Sequence, residues 1–558
     1  MGNTPEFCIG MNKKLCGYDD YLNSNNKNDV KTSHNEDESE NPYPENTIDI
    51  SLHSQQLVIH RNDNPWENYE FIENIGKGTF GVVQKVLLNS TRDYRAMKII
   101  PKENLRKGID HSVIIDEIKI LKGLDHPNIM KLYEFYEDEK NFYLISEFCD
   151  QGDLLQKMRK LKSLSEVVVQ FLMSKILNAV SYLHQKNILH GDIKMENILL
   201  NTTTRKIKKR FTTLSLNSTE ESYKKSFSQS YTNKNVDSQT KNYVEGLSNY
   251  EIKLIDFGCS KFFSKKYHKS LSGLIGTSIY CSPEVIDNQY DEKNDEWACG
   301  VLMYLLLCGE PPFPGKTEKE IFERVKKGKF NFNHPNFKRV SNKCKDLICS
   351  LLRYYPNKRI SASDALSHSF FTHQFNPDKI LYNNVDVSIL MSLINGKEKK
   401  KFQIAILNYL TRNFIDKEEE KKLKEIFKYI DKNSNNYLKK SDIKKCLIDN
   451  KFTVTDDEIN HIFLMLDFNK NGIIEYNEFL MGLCDKKKLL SKDRLKFAFN
   501  AIDNEKNGYI KWNNIHKIIF QGIEINKDIL NNYLNELKIT KDEPIDFSKF
   551  CQIIKNFD

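Results

Sequence analysis

Hydrophobic and polar positions divide the chain into three regimes. Residues 1–65 show no helical or strand period and are rich in Asn, Asp, Ser and Glu. So polar a stretch cannot bury a core, which predicts a disordered N-terminal extension. From about Tyr69 to His373, short apolar runs alternate with longer periodic ones, predicting strands and helices in one α+β unit over 69–373. It opens with a strand–glycine loop–strand pattern from Phe71 to Leu88. A polar insert at 201–249, full of Ser, Thr, Asn and Lys, separates the apolar strands Ile198–Leu200 and Ile252–Ile255. A loop that long is either disordered or functional. From about Val387 the apolar spacing is helical throughout. An apolar helix followed by an Asp-x-Asn/Glu-x-Asn loop recurs there at about 36 residues, the mark of a repeated helix–loop–helix unit.

Composition narrows the class. A length of 558 residues predicts two or three domains, and 39% hydrophobic with 29% charged residues fits a soluble protein. The net charge of +8 is modest and both signs are interspersed, so no nucleic-acid partner is expected. The 12 cysteines are scattered without a CxxC pair and read as free thiols in a reducing, cytoplasmic compartment. The longest apolar run, Val301 to Cys308, is far short of the ~20 residues that span a membrane. Met1 to Gly10 lacks the apolar segment of a secretory signal. Membrane association would need N-terminal acylation at Gly2, Cys8 or Cys16, although Glu6 stands where the acylation motif asks for Ser or Thr.

Candidate chemistry begins at Ile75-Gly76-Lys77-Gly78-Thr79-Phe80-Gly81-Val82-Val83, a G-x-G-x-x-G-x-V loop whose glycines let backbone N–H groups approach phosphate oxygens. Alone it is weak, because the same spacing opens a dinucleotide-binding turn. Its setting decides. Ala96-Met97-Lys98 follows on a strand, Asp116-Glu117-Ile118 on a helix, then His190-Gly191-Asp192-Ile193-Lys194-Met195-Glu196-Asn197, Asp256-Phe257-Gly258 and Ser282-Pro283-Glu284. From 69 to 373 the sequence resembles the eukaryotic protein kinases, of bilobal fold.

The resemblance implies a role for each residue. ATP would be held by Ile75 through Val83, with Ala96 and Leu199 around adenine and Glu147, Phe148 and Cys149 as the hinge. Ser146 would be the gatekeeper, small enough to leave a back pocket open to bulky inhibitors, and Asp153 would lie near the ribose. Lys98 would contact the α- and β-phosphates and pair with Glu117, and Asn197 and Asp256 would hold Mg²⁺. Asp192 would orient the substrate hydroxyl. Lys194 would touch the γ-phosphate, as in serine/threonine kinases, beside Thr277. Glu284 would pair with Arg359 as a structural link. Asp153 and Glu196 imply protein substrates with a basic residue at minus three, and Leu305 implies no strict minus-two requirement. Two positions depart from the common pattern. Gly191 replaces an arginine that binds activation-loop phosphate, and Gly273 falls where that phosphate would be carried. Together they predict activity without activation-loop phosphorylation, with Ser270 and Ser272 as other acceptors. In the insert, Thr213 and Ser228 each follow a basic residue at minus three and are candidate autophosphorylation sites.

The C-terminal repeats carry metal-ligand spacing. A calcium loop needs oxygens at positions 1, 3, 5, 7 and 9, a turn at 6 and a bidentate Glu at 12. Loop 467–478 meets this in full with Asp467, Asn469, Asn471, the Ile473 carbonyl, Glu475 and Glu478. Loop 431–442 offers Asp431, Asn433, Asn435, Tyr437 and Asp442, with Asn436 at the turn and Lys439 in place of a ligand. Loop 503–514 offers Asp503, Glu505, Asn507 and Tyr509 but carries Lys511 and ends in neutral Asn514. The fourth loop, 538–549, has lysine at both ends; Ile545 and Phe547 suit it to a structural role. A kinase followed by four such units resembles the calcium-dependent protein kinases of plants and protists. That resemblance implies an all-α, calmodulin-like EF-hand domain over 418–558, with ATP, Mg²⁺ and Ca²⁺ as cofactors. It also implies a junction at 386–417 that restrains the kinase at low calcium and is captured by the EF-hands at high calcium. The junction's stripes of Ile389, Leu390, Leu393, Ile394 and of Phe402, Ile406, Leu407, Leu410 flank a basic run, Lys397 to Lys401, as in a calmodulin-target helix. The expected protein is a monomer with an intramolecular kinase–EF-hand contact. The alternatives are a calcium-responsive scaffold without catalysis and a kinase only weakly dependent on calcium.

Overall fold

The computed structural model describes residues 58–61, 63–77, 81–105, 111–202, 250–263, 276–371, 386–394, 401–432, 435–503, 505–520, 531, 534–535, 539–541 and 543–555. Gly2, Cys8, Cys16, Gly78, Thr79, Phe80, Thr213, Ser228, Ser270, Ser272, Gly273, Lys397, Asn433 and Lys538 lie outside these residues.

The N-terminal lobe is built on a six-stranded sheet of order β1-β5-β6-β4-β3-β2. Its strands are β1 (Ile59–Arg61), β2 (Tyr69–Lys77), β3 (Val82–Leu88), β4 (Tyr94–Pro101), β5 (Leu132–Glu137) and β6 (Asn141–Glu147). All neighbours are antiparallel except β1, which runs parallel to β5 with Ile59 opposite Glu134. β1 falls inside the stretch expected to be disordered, so order starts before Tyr69. A three-residue strand has no readable period, and its ladder exists only because the β5 edge is there to receive it.

β5 and β6 are buried on both faces and so do not alternate. One face, with Phe135 and Leu144, joins helix His111–Lys122 in the main kinase core. The other gathers Tyr69, Val86, Leu88, Met97, Tyr136, Tyr143 and Ile145, with Phe497 of the EF-hand half packed against them. The second lobe is helical, centred on Glu166–Gln185 and Lys293–Cys308. The first of these is apolar and long enough to cross a membrane, but it is mostly buried within the lobe core.

The EF-hand half pairs its loops as expected of helix–loop–helix units. Tyr437–Leu438 and Ile474–Glu475 form a two-residue antiparallel ribbon between loops 431–442 and 467–478. Ile510 and Ile545 exchange two backbone hydrogen bonds of 2.9 Å, so the fourth loop closes the second pair. The junction differs from one continuous element. It has a 3-10 turn, Ser388–Leu393, and a helix, Lys401–Phe414, after which Asp416 caps a new helix, Lys417–Ile430, of the first EF-hand.

The junction helix is buried all round. Phe402, Ile406, Leu407 and Leu410 enter the EF-hand core as the apolar stripe predicted. Gln403, Asn408, Thr411, Arg412 and Asn413 are buried too. Gln403, Asn408 and Thr411 bond within the EF-hand half, to the Ile553 carbonyl, Asn477 and Cys484. Arg412 and Asn413 form the seam with the kinase: Arg412 donates to the Leu132 carbonyl, and Arg95 Nη2 donates to the Asn413 carbonyl at 3.3 Å. At its centre Glu134, fully buried, accepts hydrogen bonds from Tyr69 Oη (2.7 Å), Tyr136 Oη (2.9 Å) and Tyr409 Oη (3.0 Å). Arg61 Nη1 of β1 lies 3.5 Å from the same carboxylate. Burial, reinforced by Glu134, holds the three phenols well above their usual range, so they stay donors.

A hydrogen bond to a buried charge contributes about 1.5–3 kcal/mol. Tyr409→Phe should therefore weaken the docked form by about that much, read by urea unfolding of the full chain. A midpoint unchanged from wild type would show that the Tyr409 phenol does not hold the two halves together.

Candidate active site and calcium-binding loops

The cleft is assembled from both lobes. Gly81, just before β3, lies against β4: a Cβ there would fall 1.8 Å from the Ile99 carbonyl oxygen, so only glycine fits. Lys98, on β4, places Nζ 2.9 Å and 3.3 Å from the two Glu117 oxygens of helix His111–Lys122. Burial works against the Lys98 charge, but Glu117 and then Asp256 outweigh it and raise its pKa. Ala96 and Ser146 are buried at the back of the cleft, with Ser146 Oγ 3.4 Å from the Ala96 carbonyl.

Across the cleft, Asn197 Nδ2 donates to the Asp192 carbonyl (2.8 Å) and to its Oδ2 (3.0 Å). Lys194 Nζ lies 2.5 Å from Asp192 Oδ2 and 3.0 Å from Thr277 Oγ1, and Thr277 Oγ1 is 3.3 Å from Asp192 Oδ1. Asp192 is thus fixed through both oxygens and its backbone. Asp256 has a φ of +67°, unusual for a residue with a side chain, and its Oδ1 accepts the Gly258 amide at 3.4 Å. Gly191 also lies in the left-handed region, at +80°, where glycine is unstrained. Arg359 forks onto Glu284 at 2.5 Å and 3.1 Å, the structural pair expected. Asp153 Oδ1 caps helix Leu154–Leu161 through the Gln156 amide at 2.7 Å. Burial raises the Glu196 pKa, and neighbouring Asp192 and Asp153 add to it despite Lys194.

Loop 467–478 is drawn around its own oxygens. Asp467 accepts the Asn471 and Gly472 amides at 3.1 Å and 3.0 Å, and Asn471 Oδ1 accepts the Ile473 amide at 3.0 Å. Glu478 spans the loop from the Asn469 amide (3.1 Å) to the Glu475 amide (2.9 Å). Buried to 1% exposure, and beside Glu475 and Asp467, Glu478 is pushed up to about 8. A carboxylate so placed gains from a bound divalent ion, and the donor set of acid, amide and carbonyl oxygens fits calcium. No group of three or more His, Cys, Asp or Glu suited to a metal gathers among the described residues, so the amide and carbonyl oxygens are essential to that fit. In loop 431–442, Asp442 Oδ2 reaches the Lys439 amide at 2.8 Å, but its side chain is one methylene shorter than Glu478. In loop 503–514, Lys511 Nζ sits 2.8 Å from Glu505 Oε2, a tethered cation on a ligand that calcium would need.

A family model for the protein kinase domain matches residues 69–230 and 234–371, and one for an EF-hand domain pair matches 420–483. Calcium-dependent protein kinase 5 of Plasmodium falciparum (isolate 3D7) is 33% identical over 441 residues, 76% of this chain and 67% of that one. The chain belongs to the calcium-dependent protein kinases. Calcium-dependent protein kinase 4 of Plasmodium berghei (strain Anka) is 34% identical over 381 residues, 68% of this chain, and the match spans 63% of that relative's length.

Two parts of this kinase's site were not read from its sequence. Asp295 accepts the His190 amide at 2.8 Å on Oδ2 and the Gly191 amide at 3.0 Å on Oδ1, holding the catalytic loop from below. Its neighbour Glu296 is also fully buried. His184 lies between them, Nε2 at 2.9 Å from Asp295 and Nδ1 at 3.3 Å from Glu296. Burial opposes its charge, yet Glu296 and Asp295 push the imidazole up to about 10. This stabilisation is fully present below the unfolded value of ~6.5 and is lost as pH rises through about 10. The readable signal was an acid pair, Asp295-Glu296, leading into the longest apolar run.

Asp192→Asn keeps the shape and the Asn197 contact to the backbone but removes the proton acceptor. It should lower kcat by about 10²–10⁴-fold with little change in KM for ATP, measured by phosphate transfer to a peptide. Near-normal kcat would remove Asp192 from the chemistry.

Proposed function

We propose that this chain is a calcium-activated serine/threonine protein kinase. The observation that carries the reading is the joint presence of an assembled Lys98–Glu117 pair at 2.9 Å and a junction helix enclosed by the EF-hand core. Lys98 grips the nucleotide's α- and β-phosphates. Asp192 accepts the hydrogen bond of the substrate hydroxyl and aims it, and Lys194 balances charge at the transferred phosphoryl group with Thr277 holding it in line. Asn197 and Asp256 would hold Mg²⁺, which would supply charge neutralisation at the phosphates.

Control runs through the junction. Free of the EF-hands, its basic amphipathic stretch restrains the kinase; captured, it cannot. Loop 467–478 sets the response, because it keeps every ligand while Lys439 and Lys511 weaken its neighbours. Activation-loop phosphate is not required, since Gly191 has no side chain to receive it. Proteins with Arg or Lys at minus three are the substrates, attracted by Asp153 and Glu196. The enzyme acts as a monomer in the cytoplasm, with membrane contact only through acylation of its N-terminus.

The test is a peptide kinase assay with a basic residue at minus three, in calcium and in chelator, on phosphatase-treated protein. Wild type should be stimulated by calcium, and Glu478→Gln should lose most of that stimulation while keeping the basal rate. Equal wild-type activity in calcium and chelator would refute calcium control. No activity after phosphatase treatment would refute independence from phosphorylation.

A further inference from the structure

The first two EF-hand loops meet the kinase at the turn between helix His111–Lys122 and β5. Asp125 Oδ2 accepts the Asn477 amide at 2.8 Å, and Lys186 Nζ lies 3.1 Å from Glu475 Oε1. Beside them the side-chain amide of Asn436 lies 2.8 Å from His126 Nε2. Because Tyr437–Leu438 pairs with Ile474–Glu475, these contacts belong to one ribbon. His126 is buried, and its ring lies against Tyr182 with centroids 5.1 Å apart. Its Nδ1 accepts the Asn128 amide at 3.0 Å, so the proton of the neutral ring is on Nε2. Nε2–H therefore donates to Asn436, whose amide oxygen must face it.

Asn436 occupies position 6 of its loop with φ +61°. The same position in the next two loops is glycine, Gly472 and Gly508, each at φ +83°. A Cβ at either glycine would meet nothing within 4 Å. Asparagine tolerates the left-handed region but is not favoured there over glycine. Calcium binding alone gives no reason for it, whereas the contact with His126 does.

We propose that loop 431–442 is a docking element for the kinase, with Asn436 gripping His126 and so seating the ribbon whose other loop, 467–478, carries the calcium response. The proposal rests on the calcium-activation reading and assigns its transmission to one hydrogen bond. Lys439 at position 9 of the same loop, a weakness for calcium, costs nothing in this role.

The experiment uses the full chain with Asn436→Gly and Asn436→Asp. Glycine is the better turn residue and offers no side chain to His126; aspartate can still accept from Nε2–H. Asn436→Gly should keep the wild-type number of bound calcium ions by calorimetry. Its half-activating calcium should rise about 5–10-fold, the weight of one buried hydrogen bond. Amides of 124–129 should exchange faster with deuterium in that variant, and Asn436→Asp should restore both readouts. Wild-type values for Asn436→Gly in activation and exchange alike would overturn the proposal. If wild type shows no calcium stimulation, the regulatory reading fails, and exchange at 124–129 still decides the docking role.

Discussion

The arrangement depends on one buried carboxylate. Glu134 sits on an inner strand of the sheet, and a lone charge there would be untenable. Three phenols and a guanidinium make it tenable, and they come from four places: Tyr69 on β2, Tyr136 on β5, Tyr409 on the junction helix and Arg61 on β1. Only when all four segments converge is the charge satisfied. Removing the junction helix takes the Tyr409 phenol from Glu134 Oε1 and leaves that oxygen only Arg61 at 3.5 Å, which links sensor position to the stability of the sheet that carries Lys98. The phenyl ring of Phe497 completes the seam, packing on Tyr409 and Phe414 while Arg61 lies over its face at 5.9 Å.

Electrostatics divide the EF-hand loops by task. Loop 467–478 keeps its full ligand set, with Lys186 of the kinase on Glu475 at 3.1 Å, whereas in loop 503–514 the loop's own Lys511 is held on Glu505 at 2.8 Å. Other lysines of the EF-hand half bind across the seam: Lys417 to Asp93 at 2.6 Å, Lys424 to Glu251 at 2.6 Å and Lys506, within loop 503–514, to Glu67 at 3.0 Å. Exposed pairs such as Lys506–Glu67 contribute little stability each, so they set register rather than affinity.

The catalytic cleft was legible because phosphoryl transfer demands particular residue types at particular spacings. Lys98, Glu117, Asp192, Lys194, Asn197, Asp256 and Thr277 could be named from motifs alone, and the fold brings Lys98 to Glu117 and clusters Asp192, Lys194, Asn197 and Thr277. The apolar stripe of the junction was legible for the same reason, as a helical period. What could not be read was the other side of each element. Gln403, Thr411 and Arg412 look like the solvent face of an amphipathic helix, yet all three are buried, the first two bonded to Ile553 and Cys484 of the EF-hand half and Arg412 to Leu132 of the kinase. Arg61 and Ile59 lie in a polar stretch with no period, and only the β5 edge makes a strand of them. Glu134 reads as an ordinary surface acid between aromatic residues. Such positions take their meaning from a partner far away in sequence, which local pattern does not carry.

Zero-length carbodiimide cross-linking tests the central claim most directly, because it joins only lysines and carboxylates already in contact. In calcium, peptide mapping of the wild-type chain should recover the Lys417–Asp93, Lys424–Glu251 and Lys506–Glu67 links together. In Glu134→Ala all three should be lost together, although none of them involves Glu134. Recovery of the three links at wild-type yield in that variant would contradict the claim that this buried carboxylate holds sensor and kinase in one arrangement.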